Sequence, residues 1–487
     1  MKNNPSIYEI NTRVWIKRFG VKSLADIPDS YWEILKNKGI DFVWLMGIWK
    51  TCDSLIEKCC FEEGLVKNYD RALKDWKKED IIGSPFAIDL YEVNPALGGK
   101  KAVSTLKKKL NKMGIGLILD FIPNHLGACS SLIKTNPELF LRVNRDFYVN
   151  DTHTYFEGPD GKNYFAHGRD PFFPAWQDTV QINFFSEHAR NYLTNILLGL
   201  TDICDGVRCD MAMLMLNNVF KNTWIGAVAA NGFNPPKQEF WAEAISKVKD
   251  KRGDFLFIAE AYWDLEWQLQ QLGFDFTYDK KLTDRLRFGN AAGVRDHLRA
   301  EESYQKKSVR FIENHDETRA RAALGKEREK AAAVIISTIQ GMRFYHDGQF
   351  EGKKIKLPVQ LGREPVEPVC EEIKNYYDKL LSITSGEIFK NGNWFMVEPE
   401  QSWEGNNSYH NLISWLVVLN NDKRLVVVNY SDIHSSCRIK LDVTGYPDEF
   451  VLKDLLDDQS YTRSAEEVFH TGLYVELKPW QSHIFEY

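Results

Sequence analysis

Residues 114–125 read Gly114-Ile-Gly-Leu-Ile-Leu-Asp120-Phe-Ile-Pro-Asn124-His125. An apolar run without polar alternation fits a strand buried on both faces, as in a parallel sheet. The run ends abruptly in a carboxylate, then an amide and an imidazole. Residues 101–112, just before it, carry apolar side chains at helical spacing. Working outward, the unit recurs. Strands are expected at 7–16, 40–46, 204–210, 255–259, 308–312 and 341–345, and helices at 30–37, 187–200 and 241–248. Strand–helix alternation at this length predicts an α/β fold, in which a closed (β/α)₈ TIM barrel competes with an open doubly wound sheet. The first strand is followed by no Gly-x-Gly-x-x-Gly, and there is no Walker loop, so dinucleotide and P-loop readings lose their support.

Two regions break the alternation. Residues 126–183 are rich in Asn, Asp, Gly, Pro and aromatics and read as an insertion after the third strand. After about residue 385 the pattern turns all-β, with strands expected at 394–397, 412–419, 425–430, 437–441 and 482–487. The expected organisation is a barrel from 1–125 and 184–385, an insertion at 126–183 and a C-terminal β-sandwich domain at 386–487.

In such a barrel the chemistry sits at the C-terminal ends of the strands. Four strands here end in polar groups: Asp120 to His125, Arg208-Cys-Asp210, Glu260, and Glu313-Asn-His315-Asp316. Any one of them could be a helix cap. Four in sequence converge carboxylates, an arginine and two histidines on one face. Glycoside cleavage needs that set: one carboxylate to attack and one carboxylic acid to protonate the leaving oxygen. The acid needs a raised pKa, which crowding by other carboxylates supplies. Arg208 and Asp210 stand two apart on a strand and face one side, so the guanidinium is expected to hold Asp210 ionised.

In this order the four segments resemble the signature regions of the α-amylase superfamily, glycoside hydrolase family thirteen. So do Ile7 to Trp15, Gly83 to Asp89 and the Gly-Gln-Phe-Glu-Gly run at 348–352. The resemblance implies Asp210 as nucleophile, Glu260 as general acid and base, and Asp316 as the carboxylate gripping sugar hydroxyls in the transition state. It implies that Arg208 orients Asp210 and that His125 and His315 bind the sugar at the cleavage point. It puts Phe86 near the stacking platform beneath that sugar, a place often held by Tyr. The insertion corresponds to the family's second domain, which walls the cleft. Asn124 matches a family calcium ligand. Met213 and Leu214, however, stand where many amylases carry Lys-His, which argues against a starch-type aglycone site and against calcium. No cofactor is expected.

Trp263, Tyr262 and Trp49 follow strands and are candidates for stacking on sugars. Arg169, in the insertion, is a candidate for meeting an acidic or phosphorylated substrate. The 13% aromatic content suits an oligosaccharide partner, while 68 acidic against 62 basic residues give a net charge of −6. That balance offers no field for nucleic acid. The N-terminus has no apolar signal core, and no run is long enough to span a bilayer. The eight cysteines fit neither a disulfide framework nor a zinc pattern. They read as free thiols in a reducing cytoplasm.

The expected function is a retaining α-glycoside hydrolase acting on α-glucans or maltooligosaccharides. A transglycosylase, phosphorylase or isomerase would share the triad. A catalytically inactive glucan-binding relative would have lost it.

Overall fold

The computed structural model describes residues 3–487. Eight parallel strands close into a barrel: β1 (Ser6–Asn11), β2 (Phe42–Met46), β3 (Gly116–Phe121), β4 (Gly206–Cys209), β5 (Leu256–Ala259), β6 (Phe276–Tyr278), β7 (Ser308–Arg310) and β8 (Met342–His346). Between the strands lie the helices that cover the barrel, among them Gly99–Lys112, Glu187–Leu200, Phe240–Lys251, Ala320–Thr338 and Glu371–Thr384. Alternate residues point inward. Ile7, Trp44, Ile118, Ile258, Tyr278 and Phe344 therefore fill the interior as an apolar plug. Two residues further along, the same inward-facing columns carry Glu9, Asp120, Glu260 and His346. The register sets Asp120 beside Arg208 on the neighbouring strand. The barrel interior thus changes from apolar to ionisable at its C-terminal mouth, the layer where reactive groups belong in this architecture.

The first strand is shorter than expected. It stops at Asn11, and the chain turns into the helical segments Thr12–Trp15 and Ile16–Phe19. Arg13 secures that turn by donating to the carbonyls of Ile82, Gly83 and Val359. The sixth strand, Phe276–Tyr278, is missing from the expected set because three residues are too few to show a period.

After β3, residues 126–183 leave the barrel. A three-residue strand, His125–Gly127, pairs antiparallel with Thr179–Gln181, and a small three-stranded sheet lies between them in sequence. Cys52 and Cys129 form a disulfide that ties the loop after β2 to this insertion. This corrects the reading of all eight cysteines as free thiols. Six are free, five of them buried. The pair is 77 residues apart in sequence, and only the fold brings it together. It also removes the support that free thiols lent to a cytoplasmic site.

The C-terminal region is a sandwich. A six-stranded antiparallel sheet contains the expected strands Asn393–Val397, Leu412–Leu419, Asp422–Asn429 and Ser482–Glu486, together with Glu449–Asp454 and Ser460–Ser464. Its second layer is the pair Ser435–Ile439 and Leu473–Leu477. Ile413, Trp415, Val426 and Val428 face the barrel's core, whereas Leu412, Leu425 and Val427 face Cys437, Ile439 and Val475. Burial on both faces fixes the register of the central strands, because a slip of one residue would exchange the two sets. Among the described residues no helix is long and apolar enough to cross a membrane.

Candidate active site

Arg208 organises the mouth of the barrel. Its Nη1 lies 2.7 Å from Asp210 Oδ1 and its Nη2 lies 2.8 Å from Glu260 Oε2. Asp120 Oδ1 is 3.5 Å from Nη1. One buried guanidinium therefore serves three carboxylates, not the single one expected. Its flat faces are enclosed by aromatic rings, with Trp44 at 5.0 Å, Phe86 at 5.5 Å and Tyr278 at 5.8 Å from Cζ. A delocalised, weakly hydrated cation suits such a site better than an ammonium would.

The backbone aims these groups. Asp210 follows β4 and donates its N–H to the Phe121 carbonyl at 2.8 Å. Met211 then adopts φ 44°, a left-handed conformation that is costly for a residue with a side chain. Its N–H is pinned by Glu260 Oε2 at 2.7 Å. The Glu260 carboxyl thus touches Arg208, the Met211 amide and, through Oε1 at 2.8 Å, the hydroxyl of Tyr262. Tyr262 is engaged by the Glu260 carboxyl and is no free stacking platform. Trp263 comes next, also at positive φ, with its ring edge-on to Phe172 of the insertion at 5.0 Å. That contact ties the loop after β5 to the insertion.

Two strands further round the barrel, after β7, Asn314 Oδ1 accepts from the N–H groups of Asp316 and Glu317, both at 2.9 Å. This local turn presents Asp316, whose side chain is 52% exposed. His315 is buried between two carboxylates, with Nε2 3.0 Å from Asp316 Oδ2 and Nδ1 2.5 Å from Glu9 Oε1. Phe86 stacks on the imidazole at 5.4 Å. Glu313 serves a different end. It binds Arg319 and the Ala320 N–H, both at 2.6 Å, and so anchors the helix that follows.

The electrostatics follow from burial and from the shortage of cations. Burial, reinforced by Asp210 and Asp316, outweighs Arg208 and raises the Glu260 carboxyl to about 7. Asp120 is raised to about 7, again by burial first. Burial also pushes Asp210 up, against the pull of Arg208. Arg208 pulls Asp210 toward its charged form, as expected, but the same cation also serves Glu260 and Asp120. For His315 burial works against charge, but Asp316 and Glu9 outweigh it and hold the imidazole well above its usual range. The imidazolium in turn keeps the half-exposed Asp316 below the ordinary carboxylate range.

His125 is buried beside Trp176 of the insertion, at 5.3 Å between rings, and burial lowers it to about 4, so it is neutral at pH 7. The Asn124 Oδ1 accepts from Gln181 Nε2 at 3.0 Å. Calcium wants six to eight oxygens, carboxylates prominent among them. Two neutral amides bonded to each other do not fit that donor set. Trp49 is buried and donates to the Asp120 carbonyl at 2.8 Å, so it is a core residue and not a sugar platform. Arg169 donates to the Thr223 carbonyl at 2.8 Å and lies over Trp224 at 4.9 Å, which removes it as a contact for an anionic substrate. The sequence reading missed Glu9 and Trp44. The signal for Glu9 was available: a lone carboxylate inside the apolar run Ile7-Tyr-Glu-Ile10.

A (β/α)₈ barrel whose mouth holds an arginine-bridged carboxylate pair, faced by a third carboxylate beyond a histidine, is the scaffold of a glycoside hydrolase. The comparisons with known proteins agree. The chain belongs to the α-amylase family: residues 35–360 match the alpha amylase catalytic domain. It is 24% identical over 277 residues to the alpha-amylase MalA of Haloarcula japonica, a match covering 55% of this chain and 36% of that protein. In fold it is similar to the maltogenic alpha-amylase AmyB of Thermotoga neapolitana, with a TM-score of 0.69 and 21% identity over 100% of this chain and 99% of that one. An alpha-amylase from Lactobacillus plantarum superposes with a TM-score of 0.67 at 18% identity, over 100% of this chain and 99% of that one.

Proposed function

We propose that the protein is a retaining α-glycoside hydrolase acting on α-glucans or maltooligosaccharides. The observation that carries this reading is the single guanidinium shared by Asp210 and Glu260, with Glu260 raised to about 7. One cation stabilises one negative charge well. With that cation shared, the Glu260 carboxyl keeps its proton up to near neutral pH. Glu260 donates that proton to the glycosidic oxygen as the C–O bond breaks. Asp210 attacks the anomeric carbon and becomes the glycosyl ester. Glu260, now ionised, takes a proton from water as water attacks the ester, and Asp210 leaves as carboxylate. Asp316, held ionised by His315, binds sugar hydroxyls and grips more tightly as positive charge develops on the ring. His125 and Phe86 contribute a neutral donor and an apolar face to the same sugar. No step passes through a metal.

A transglycosylase, phosphorylase or isomerase would use the same first half-reaction. Incubation with maltooligosaccharides, trehalose, sucrose and isomaltose, with and without phosphate or an acceptor sugar, separates them by product. Reducing sugar released in water alone, of α configuration at first appearance, is the expected result. Initial β product would mean inversion and refute the covalent route.

A further inference from the structure

Beside Asp316 the cleft opens into a cavity of about 500 Å³. Three chain segments wall it: the helix Glu63–Ala72 after β2, residues 315–318 after β7 and residues 354–360 after β8. Its lining includes three cations, Arg71, Lys354 and Lys356, and one carboxylate, Asp316, which His315 already pairs. Lys356 reaches the backbone carbonyl of Asp316. Arg71 and the Lys354 ammonium are in no ion pair among the described residues. Elsewhere on the surface of this acidic protein, lysines and arginines are commonly paired with carboxylates, as in Lys78–Glu57 and Arg363–Asp75. Leaving a cluster of like charges uncompensated around a concave site is electrostatically unfavourable until an anion enters.

The position of the recess says which part of a substrate would meet it. Glu260, after β5, delivers its proton to the leaving oxygen, so the leaving group lies on the side of Tyr262 and Trp263. The recess belongs to the loops after β2, β7 and β8, across the mouth. It therefore receives the retained sugar, the one that becomes bonded to Asp210, or its outward extension.

We propose that this recess binds a phosphate ester carried by the retained sugar, so that the preferred substrate is a phosphorylated α-glycoside. The proposal rests on the glycosidase reading and refines its substrate class. Arg71 offers a planar fork to two phosphate oxygens, and Lys354 and Lys356 offer point charges to the dianion. Arg169, the residue suggested for such a role by the sequence, lies elsewhere.

The test combines binding with turnover. Calorimetric titration of the wild-type protein with glucose 6-phosphate, glucose, glucuronate and orthophosphate reads the recess without any need for catalysis. Glucose 6-phosphate is expected to bind at least 10-fold tighter than glucose and glucuronate, with the advantage shrinking as salt is added. In turnover, kcat/KM for 4-nitrophenyl α-glucoside 6-phosphate should exceed that of the unphosphorylated glycoside by a similar factor. That ratio should fall toward one in the Arg71→Gln/Lys354→Gln double variant. Both side chains are exposed, and neither is in an ion pair. Equal binding of glucose and glucose 6-phosphate overturns the proposal. So does orthophosphate that binds as tightly as the ester and appears in the product as a glycosyl phosphate. Tight, salt-sensitive binding of the ester with no cleavage of either glycoside would sustain the recess and refute the glycosidase reading instead.

Discussion

Replacing Glu9 with Gln tests the part of the site that no sugar touches. Glu9 sits in the barrel interior, with Oε1 2.5 Å from His315 Nδ1, and His315 Nε2 is 3.0 Å from Asp316. Glu9 is therefore a positioning residue that acts on substrate through two others. The amide keeps the shape but removes the charge. A hydrogen bond to a charged group contributes about 1.5–3 kcal/mol, and the charged imidazole loses that support. His315 is charged only because Glu9 and Asp316 outweigh its burial. With one of them gone, burial counts for more and its pKa falls. At the acid end of the range the imidazole keeps its proton longest and the loss is smallest. As pH rises through the new pKa, the imidazole becomes neutral, Asp316 loses its cation, and kcat/KM falls by about 10–100-fold relative to wild type. The assay is kcat/KM on α-glucosyl fluoride from pH 5.5 to 8.5, with imidazole nitrogen shifts by NMR reporting His315 directly. A variant whose activity drops by one factor at every pH, with His315 still charged at pH 8, would refute the relay and leave Glu9 a packing residue.

Further outcomes follow from the same electrostatics. Wild-type kcat/KM should decline as pH rises through about 7, where Glu260 loses its proton, and a flat alkaline limb to pH 9 would remove Glu260 as the acid. Asp316→Asn should reduce both glycosylation and deglycosylation, and azide should not rescue it, because it removes transition-state binding and no proton shuttle. Glu329 lies buried in the helix Ala320–Thr338, neither carboxyl oxygen has a hydrogen-bond partner, and burial raises it to about 8. Its folded pKa exceeds the unfolded one, so stability is lost as pH rises from about 4 to 8. Glu329→Gln should therefore gain a few kcal/mol, on the order of 2–4, over wild type in urea unfolding at pH 7.5 and little at pH 4.5. An equal gain at both would exclude charge as the cause. Chelation should leave the melting temperature unchanged; a sharp drop restored by calcium would make Asn124 and the insertion a real site.

The barrel and the placement of carboxylates at its mouth were legible because their signals are local. An apolar run such as 114–119 ending in Asp120 announces both a buried strand and the level of the mouth. Asp210, Glu260 and Asp316 stood at such ends, and the fold brings them together through parallel pairing of β3, β4 and β5 and the loop after β7. The remainder depended on contacts distant in sequence. Phe276–Tyr278 closes the barrel with three residues, too few for a period. Glu9 meets His315 across 306 positions, and Cys52 meets Cys129 across 77. The sharing of Arg208 by Glu260 as well as Asp210 needs the β4–β5 register and the left-handed Met211, neither of which spacing reveals. The strands Glu449–Asp454, Ser460–Ser464 and Leu473–Leu477 were missed because Lys, Glu and Arg interrupt them where one face meets solvent.

Trapping the intermediate tests the central claim most directly. In Glu260→Gln the proton donor is gone, but fluoride leaves without one, so α-glucosyl fluoride should still glycosylate Asp210. Water then attacks slowly for want of a base, and the adduct should accumulate. Intact-mass and peptide analysis should find one glycosyl group on the peptide carrying Asp210. Azide should release it as the α-glycosyl azide. Azide needs no base, and its attack is the second of two inversions. No adduct on Asp210, an adduct on Asp120 or Asp316, or release by azide with β configuration would contradict the account.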